Sequence, residues 1–180
     1  MKALGYSVPQ VSSLVSRFND ELISQVSPLP QGPMSPETVG LIAKILKLKT
    51  IAVVGLSKDP SRPSHDVASY LKSHGYRIVP VNPMVNEVLG ERSYKSLLDL
   101  PEQLKLEIDI VDIFRRTEDV PPIVDEAIQL YKSLGRPSAV WMQLGIVNEE
   151  AASKAKEAGL SVVMDRCMKI EHARLAELPS

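Results

Sequence analysis

The chain has 180 residues, of which 44% are hydrophobic and 24% charged, and a formal net charge of −1. That length suits one domain with an appendage, large enough to bury about two thirds of its unfolded surface without a metal or disulfide staple. The near-zero charge argues against nucleic acid or an anionic membrane as partner, and no apolar run reaches the roughly 18 residues of a membrane span.

Residues 1–35 differ from the rest. Val11, Leu14, Val15, Phe18 and Leu22 recur at helical spacing, which predicts an amphipathic helix between Val8 and Val26. Arg17, Asn19, Asp20 and Glu21 interrupt any signal-peptide core. The stretch Ser27 to Pro36 reads as a linker. The helix would pack on the outside of the domain or make a partner contact. The expected division is a helical extension over 1–35 and a domain over 36–180.

Ser35-Pro36-Glu37 opens a helix: a capping serine, a proline at the first helical position and an acid at the positive end. From Thr50 the pattern becomes strand, turn, helix, repeated. Ile51–Val54 is a short continuous apolar run, as in a strand covered on both faces. A helix through Val67 and Leu71 stops at Gly75, and Arg77–Val81 is the next strand. Glu107 to Phe114 alternates loosely around Ile108, Ile110 and Ile113. Thr117–Leu134 is helical, with Pro121 and Pro122 in its first turn. Ala139–Met142 is a strand, Asn148 caps a helix that closes at Gly159, and Leu160–Met164 is the last strand. A short helix from Lys169 to Leu178 follows. These elements predict an α/β fold: a Rossmann-like, doubly wound parallel sheet of about five strands.

In such sheets ligands bind outside the carboxyl ends of the strands, at the switch point in strand order. The most informative strand end is Gly55-Leu56-Ser57-Lys58-Asp59-Pro60-Ser61-Arg62-Pro63-Ser64. A loop from the first strand into its helix offers backbone N–H groups and a helix dipole to an anion. Gly55 lets the backbone approach a ligand. Ser57, Ser61 and Ser64 add hydroxyls, and Lys58 and Arg62 add charge. Ser64 could also cap the helix. With one glycine, the loop is neither G-x-G-x-x-G nor a Walker A loop. A nicotinamide site would also place an acid at the end of the second strand, where this chain has Val81-Asn82-Pro83. Without a carboxylate that place tolerates a ribose phosphate, as in coenzyme A or NADP. Pro83 offers a flat apolar face to an adenine, and a plain turn is the other reading of Asn-Pro.

In order and spacing, VVGLSKDPSRPSHDVASYL, GYRIVPVNP, LGERSY, VDIFRR, VWMQLGI and VVMDRCMKIEH carry a resemblance over Thr50 to His172. The sequence resembles the small CoA-binding proteins related to the nucleotide-binding domain of the succinyl-CoA synthetase α subunit. The resemblance implies CoA along the strand ends. Gly55, Ser57, Arg62, Pro63 and Ser64 would hold the phosphates, and Val81, Asn82 and Pro83 would flank the adenosine. Phe114 and Arg115 would lie beside the cofactor's middle, and Gln143 and Gly145 near the pantetheine arm. The synthetase's phosphorylated histidine belongs to a second domain without a counterpart in the matched stretches, so ligase chemistry does not carry over.

No catalytic centre is legible. The histidines His65, His74 and His172 lack metal-ligand spacing and suit surface or capping roles. Cys167 is the one cysteine; it forms no internal disulfide, which fits a cytoplasmic setting. Beside Arg166 it would be a reactive thiol near the cofactor's own, or else a buried small hydrophobe. Asp109 and Asp112 lie in or near a strand, so one would point into a flanking layer, and Trp141 belongs to the core. The resulting expectation is a CoA or acyl-CoA binding module, acting as carrier, sensor or subunit. An NAD(P)-dependent oxidoreductase and an interaction protein with a vestigial pocket are the alternatives. A homodimer is compatible with a domain of this kind.

Overall fold

Five short apolar segments form one parallel sheet, and the computed structural model describes the chain over residues 34–176. The helix expected between Val8 and Val26 lies outside those residues, as does the end of the helix expected to reach Leu178.

Helix α1 (Pro36–Ile45) starts as its sequence dictates: the Ser35 hydroxyl accepts the Thr38 N–H at 3.2 Å. Strand β1 (Thr50–Val54) follows, then α2 (Pro63–Ser73) and β2 (Arg77–Val81). Next come a two-stranded ribbon, β3 (Glu87–Val88) and β4 (Glu91–Arg92), and the short helix α3 (Glu102–Glu107). After β5 (Ile110–Ile113), a 3-10 turn (Thr117–Asp119) leads into α4 (Val120–Leu134). Strand β6 (Ala139–Met142), α5 (Glu149–Glu157), β7 (Ser161–Val163) and α6 (Met168–Ala176) complete the described residues.

The sheet order is β2-β1-β5-β6-β7, all parallel. Each strand is buried on both faces, which explains the apolar runs. Alternate residues face opposite layers. Val54, Val79, Val111, Ile113, Val140 and Met142 pack with α4 and α5. Ile51, Val53, Ile78, Ile110 and Trp141 pack with α1, α2 and α6, and Trp141 has no exposed surface, as expected of a core residue. By the same alternation Asp112 and Gln143 belong to this second layer.

The sequence reading needs four local corrections. Glu107 ends a helix, and β5 is continuously buried rather than alternating. Strand β7 is shorter than Leu160–Met164 by a residue at each end. Ser64 does not cap α2; Arg62 holds the cap position, and the Ser64 hydroxyl accepts the Ser57 N–H at 3.1 Å instead. The β3–β4 ribbon was not anticipated. Its turn residues Leu89 and Gly90 both have positive φ, 56° and 74°, the geometry of a tight hairpin that favours Asn-Gly, and a leucine there gives no such signal.

The ribbon's continuation lies along β2, an edge strand interrupted by Pro80. The Tyr94 N–H donates to the Pro80 carbonyl at 3.0 Å, and the Asn82 N–H donates to the Tyr94 carbonyl at 2.8 Å. A proline-bearing edge is thereby covered rather than left open.

Candidate functional site

The sheet order reverses direction between β1 and β5, which defines the crevice for a ligand at their carboxyl ends. Gly55 leaves β1 with φ +88°, and its N–H donates to the Val81 carbonyl at 2.8 Å. A Cβ at Gly55 would strike the Phe114 carbonyl oxygen and lie 2.8 Å from the Arg115 Cδ. Only glycine lets the two switch-point loops approach this closely. Phe114 is half-buried against the α2 layer, while Arg115 is exposed.

The loop beyond Gly55 is shaped by its own polar groups. The Ser57 hydroxyl accepts the Asp59 N–H at 3.1 Å, and an Asp59 carboxylate oxygen accepts the N–H and the hydroxyl of Ser61 at 2.9 and 2.8 Å. These bonds hold the Asp59 carboxyl below its ordinary range. Among the described residues, the Leu56 and Lys58 amides find no acceptor. Leu56 itself is a core side chain, so only its backbone reaches the crevice. Lys58, Ser61, Arg62 and Pro63 are exposed around the loop. Arg62 lies 3.9 Å from Asp59, too long and too exposed to spend its charge.

At the end of β2, Val81 is buried and Pro83 exposed. Asn82 is a structural pin: its Nδ2 donates to the Leu56 carbonyl at 2.9 Å, and its Oδ1 accepts the Met84 N–H at 3.0 Å. The Asn-Pro turn and the strand-end position are therefore one feature. Asn82 and Pro83 also border a cavity of about 510 Å³, closed on its far side by Arg92, Ser93, Tyr94 and Lys95. This cavity went unseen in the sequence because the ribbon that walls it did.

The other end of the rim is built differently. Asp112, with no exposed surface, accepts from the Gln143 Nε2 at 2.8 Å, and Gln143 Oε1 accepts the Met168 N–H at 3.4 Å. Burial pushes Asp112 up to about 7, against the opposing hydrogen bonds from Gln143 and the Ile113 amide. Its second oxygen has no partner among the described residues. The Gly145 N–H donates to Asp165 Oδ1 at 2.7 Å, with Gly145 and Asp165 both at positive φ. Arg166 pairs with buried Glu171 at 3.0 Å, and its carbonyl accepts the Trp141 indole N–H at 2.7 Å. The expected support of a Cys167 thiolate by Arg166 is thus corrected: the guanidinium is committed to Glu171, and burial pushes the thiol up.

His65 stands apart from the other two histidines, whose rings are neighbours. His65 follows the loop, His74 ends α2, and His172 accepts from or donates to the Tyr70 hydroxyl at 3.1 Å, its ring 5.3 Å from that of His74. Burial, with His74 and Lys49 nearby, pulls His172 down. Among the described residues no group of three His, Cys, Asp or Glu side chains forms a metal site, and no helix is long and apolar enough to cross a membrane.

The parallel sheet carries a single-glycine loop closed on its switch point and no acid at the end of β2, a departure from the dinucleotide-binding fingerprint. Residues 49–173 match the family of the CoA binding domain, and the chain belongs to that family. An uncharacterized protein of Bacillus subtilis (strain 168), YneT, is 42% identical over 125 residues, 69% of this chain and 86% of YneT. An ADP-forming acetate–CoA ligase II of Archaeoglobus fulgidus is 32% identical over 83 residues, 45% of this chain but only 12% of the ligase. A solved Thermus thermophilus protein superposes with a TM-score of 0.67 at 43% identity, covering 79% of this chain and 99% of that one.

Proposed function

We propose that this chain binds coenzyme A or an acyl-CoA across the carboxyl ends of β1, β2 and β5, as a carrier, sensor or subunit rather than a complete enzyme. The observation that carries the reading is the contact of Gly55 with Phe114 and Arg115 at the switch point, in a member of the CoA binding domain family. The residues present fit the group. The Leu56 and Lys58 amides, which find no acceptor among the described residues, would join Lys58, Arg62 and Arg115 in supplying donors and charge for a diphosphate. Pro83 offers its ring to the adenine, and the uncharged Asn82 repels no phosphate on the ribose. Bound there, CoA would supply a thiol able to carry an acyl group as a thioester. The ADP-forming acetate–CoA ligase that shares a stretch with this chain supports a role beside acyl-CoA chemistry, and the lone Cys167 fits a cytoplasmic setting.

The test is the thermal midpoint with CoA, acetyl-CoA, NAD, NADP and ATP, each at about 1 mM. A ligand at 100 times its dissociation constant adds about 2.7 kcal/mol, several degrees for a domain of this size. A shift with CoA and its ester, and none with NAD, is the expected result. A shift with NADP alone would make the chain a nicotinamide-type binder. No shift with any ligand would leave the fold without its proposed ligand.

A further inference from the structure

Four rings gather where α6 meets the end of α2, at the amino ends of β1 and β2 rather than at the crevice. His172 on α6 is the hub, and it is half-buried. Its Nδ1 shares a hydrogen bond with the Tyr70 hydroxyl at 3.1 Å. Its ring stands edge-on to those of Tyr70, His74 and Tyr76, with centres 5.6, 5.3 and 5.5 Å away. The Tyr70 and His74 ring centres are 4.0 Å apart, and the His74 Nδ1 donates to the Tyr70 carbonyl at 2.7 Å. The Tyr76 hydroxyl donates to the Leu46 carbonyl at 2.5 Å, which fixes the remaining ring.

The charges gathered at these rings are positive. Lys49, just before β1, stands 4.9 Å over the Tyr76 ring, and Lys169 on α6 stands 5.5 Å over the Tyr70 ring. The nearby acids are already committed. Asp66 on α2 takes Lys169 at 2.8 Å, and Glu171 on α6 takes Arg166 at 3.0 Å with Arg174 at 3.9 Å. Burial pushes Tyr76 up to about 12, so its hydroxyl stays neutral. A proton on His172 therefore adds charge beside Lys49, Lys169 and His74, with no uncommitted carboxylate among these neighbours to receive it. The ring is accordingly held below its ordinary 6.5, by burial first and then by His74 and Lys49.

We propose that His172 makes the seat of α6 on α2 sensitive to acid: the neutral ring holds the helix in place, and its protonation releases it. The docked helix prefers the neutral ring, whereas a released helix leaves His172 to titrate at its ordinary 6.5. Docking is therefore full above about pH 6.5 and weakens as pH falls from there toward the lower docked value. Asp112 cannot mimic this, because its raised carboxyl contributes more stability as pH falls. Release also reaches the rim. The Met168 amide at the start of α6 donates to Gln143, and the Arg166 carbonyl just before it accepts the Trp141 indole N–H.

Hydrogen exchange of the full chain, read by mass spectrometry and corrected for the intrinsic pH dependence of exchange, compares α6 with α4 at about pH 7.5 and about pH 5.5, the lower value staying above the ordinary carboxylate range. Wild-type α6 should lose protection relative to α4 at the lower pH, by at most about tenfold, the limit set by one pH unit below the free imidazole value. His172→Gln keeps a polar group for the Tyr70 hydroxyl but cannot gain the charge, so its α6 should be equally protected at both. Lys49→Met removes one repelling cation and leaves the Lys49 amide bonded to Asp109; its α6 should lose less than wild type. Both variants should match the wild-type thermal midpoint at the higher pH, and if His172→Gln does not, the Lys49→Met comparison decides. A wild-type α6 equally protected at both values would overturn the inference. So would an acid loss that His172→Gln retains in full, or a Lys49→Met protein whose loss equals that of wild type. None of these outcomes depends on a bound cofactor.

Discussion

The two ends of the strand-end rim contain similar residue types in opposite states. Around β2, β1 and β5 the polar groups face outward: Lys58, Arg92, Lys95 and Arg115 have no carboxylate partner among the described residues, and the Leu56 and Lys58 amides are unsatisfied. Around β6 and β7 they are spent on one another: Gln143 joins Asp112 to the start of α6, Asp165 holds the Gly145 amide, and Arg166 holds Glu171. Buried polar groups are kept by being bonded, whereas charges left unpaired in a crevice are available to a ligand. The first region is the binding surface of the proposed function, and the second is the clamp that seats α6.

The largest expected effect is at Gly55. Gly55→Val must place a β-branched side chain at φ +88° against the Phe114 carbonyl. Such backbone strain costs about 1–3 kcal/mol before the collision is counted. The expected outcome is a clear fall in thermal midpoint and loss of the CoA-induced shift. Retained CoA affinity would break the assignment of the β1–β5 crevice.

Asp112 should act on stability rather than on the ligand. Its carboxyl is raised from 3.8 to about 7 in the folded protein. Between those values the native state holds a proton that the unfolded chain releases, so this group's contribution falls as pH rises from about 4 through about 7. Asp112→Asn stays neutral and should gain on wild type across that interval, by on the order of a few kcal/mol above it. Parallel midpoint-against-pH curves for the two proteins would contradict the buried network.

A smaller effect is kinetic. With burial raising its thiol and Arg166 committed elsewhere, Cys167 should react with an aromatic disulfide reagent at pH 8 more slowly than free cysteine. A rate equal to that of free cysteine would move Cys167 from the clamp to the reactive surface. The smallest effect is at Lys154, whose pair with Asp125 is more than half exposed on both sides. Lys154→Ala should change stability by no more than about 0.5 kcal/mol in chemical denaturation.

Most of the fold was legible in the chain because the strands are continuous apolar runs and two of the helices carry their own side-chain caps. Ser35 and Asn148 do what their sequence positions suggest, each accepting an amide of the first turn. What escaped depended on contacts distant in sequence. The ribbon turn uses Leu89 at positive φ, and its strands are two residues each, too short for any period. Arg92 stood in the LGERSY stretch with no role assigned to it and Lys95 carried none, and only the fold brings both to the cavity that Asn82 borders. Gln143 and Arg166 stood beside the expected site in sequence, but their partners Asp112 and Glu171 turn them inward. For the candidate ligand residues themselves, the loop from Gly55 to Ser64 was readable because a switch-point turn is local.

The most direct measurement is amide chemical-shift mapping of the full chain as CoA is titrated in. The account predicts the largest changes over Gly55–Arg62, Phe114–Arg116 and Asn82–Lys95, with the Asp165–Met168 clamp nearly still. Changes centred on Asp165–Met168, with the Gly55 loop unmoved, would contradict it.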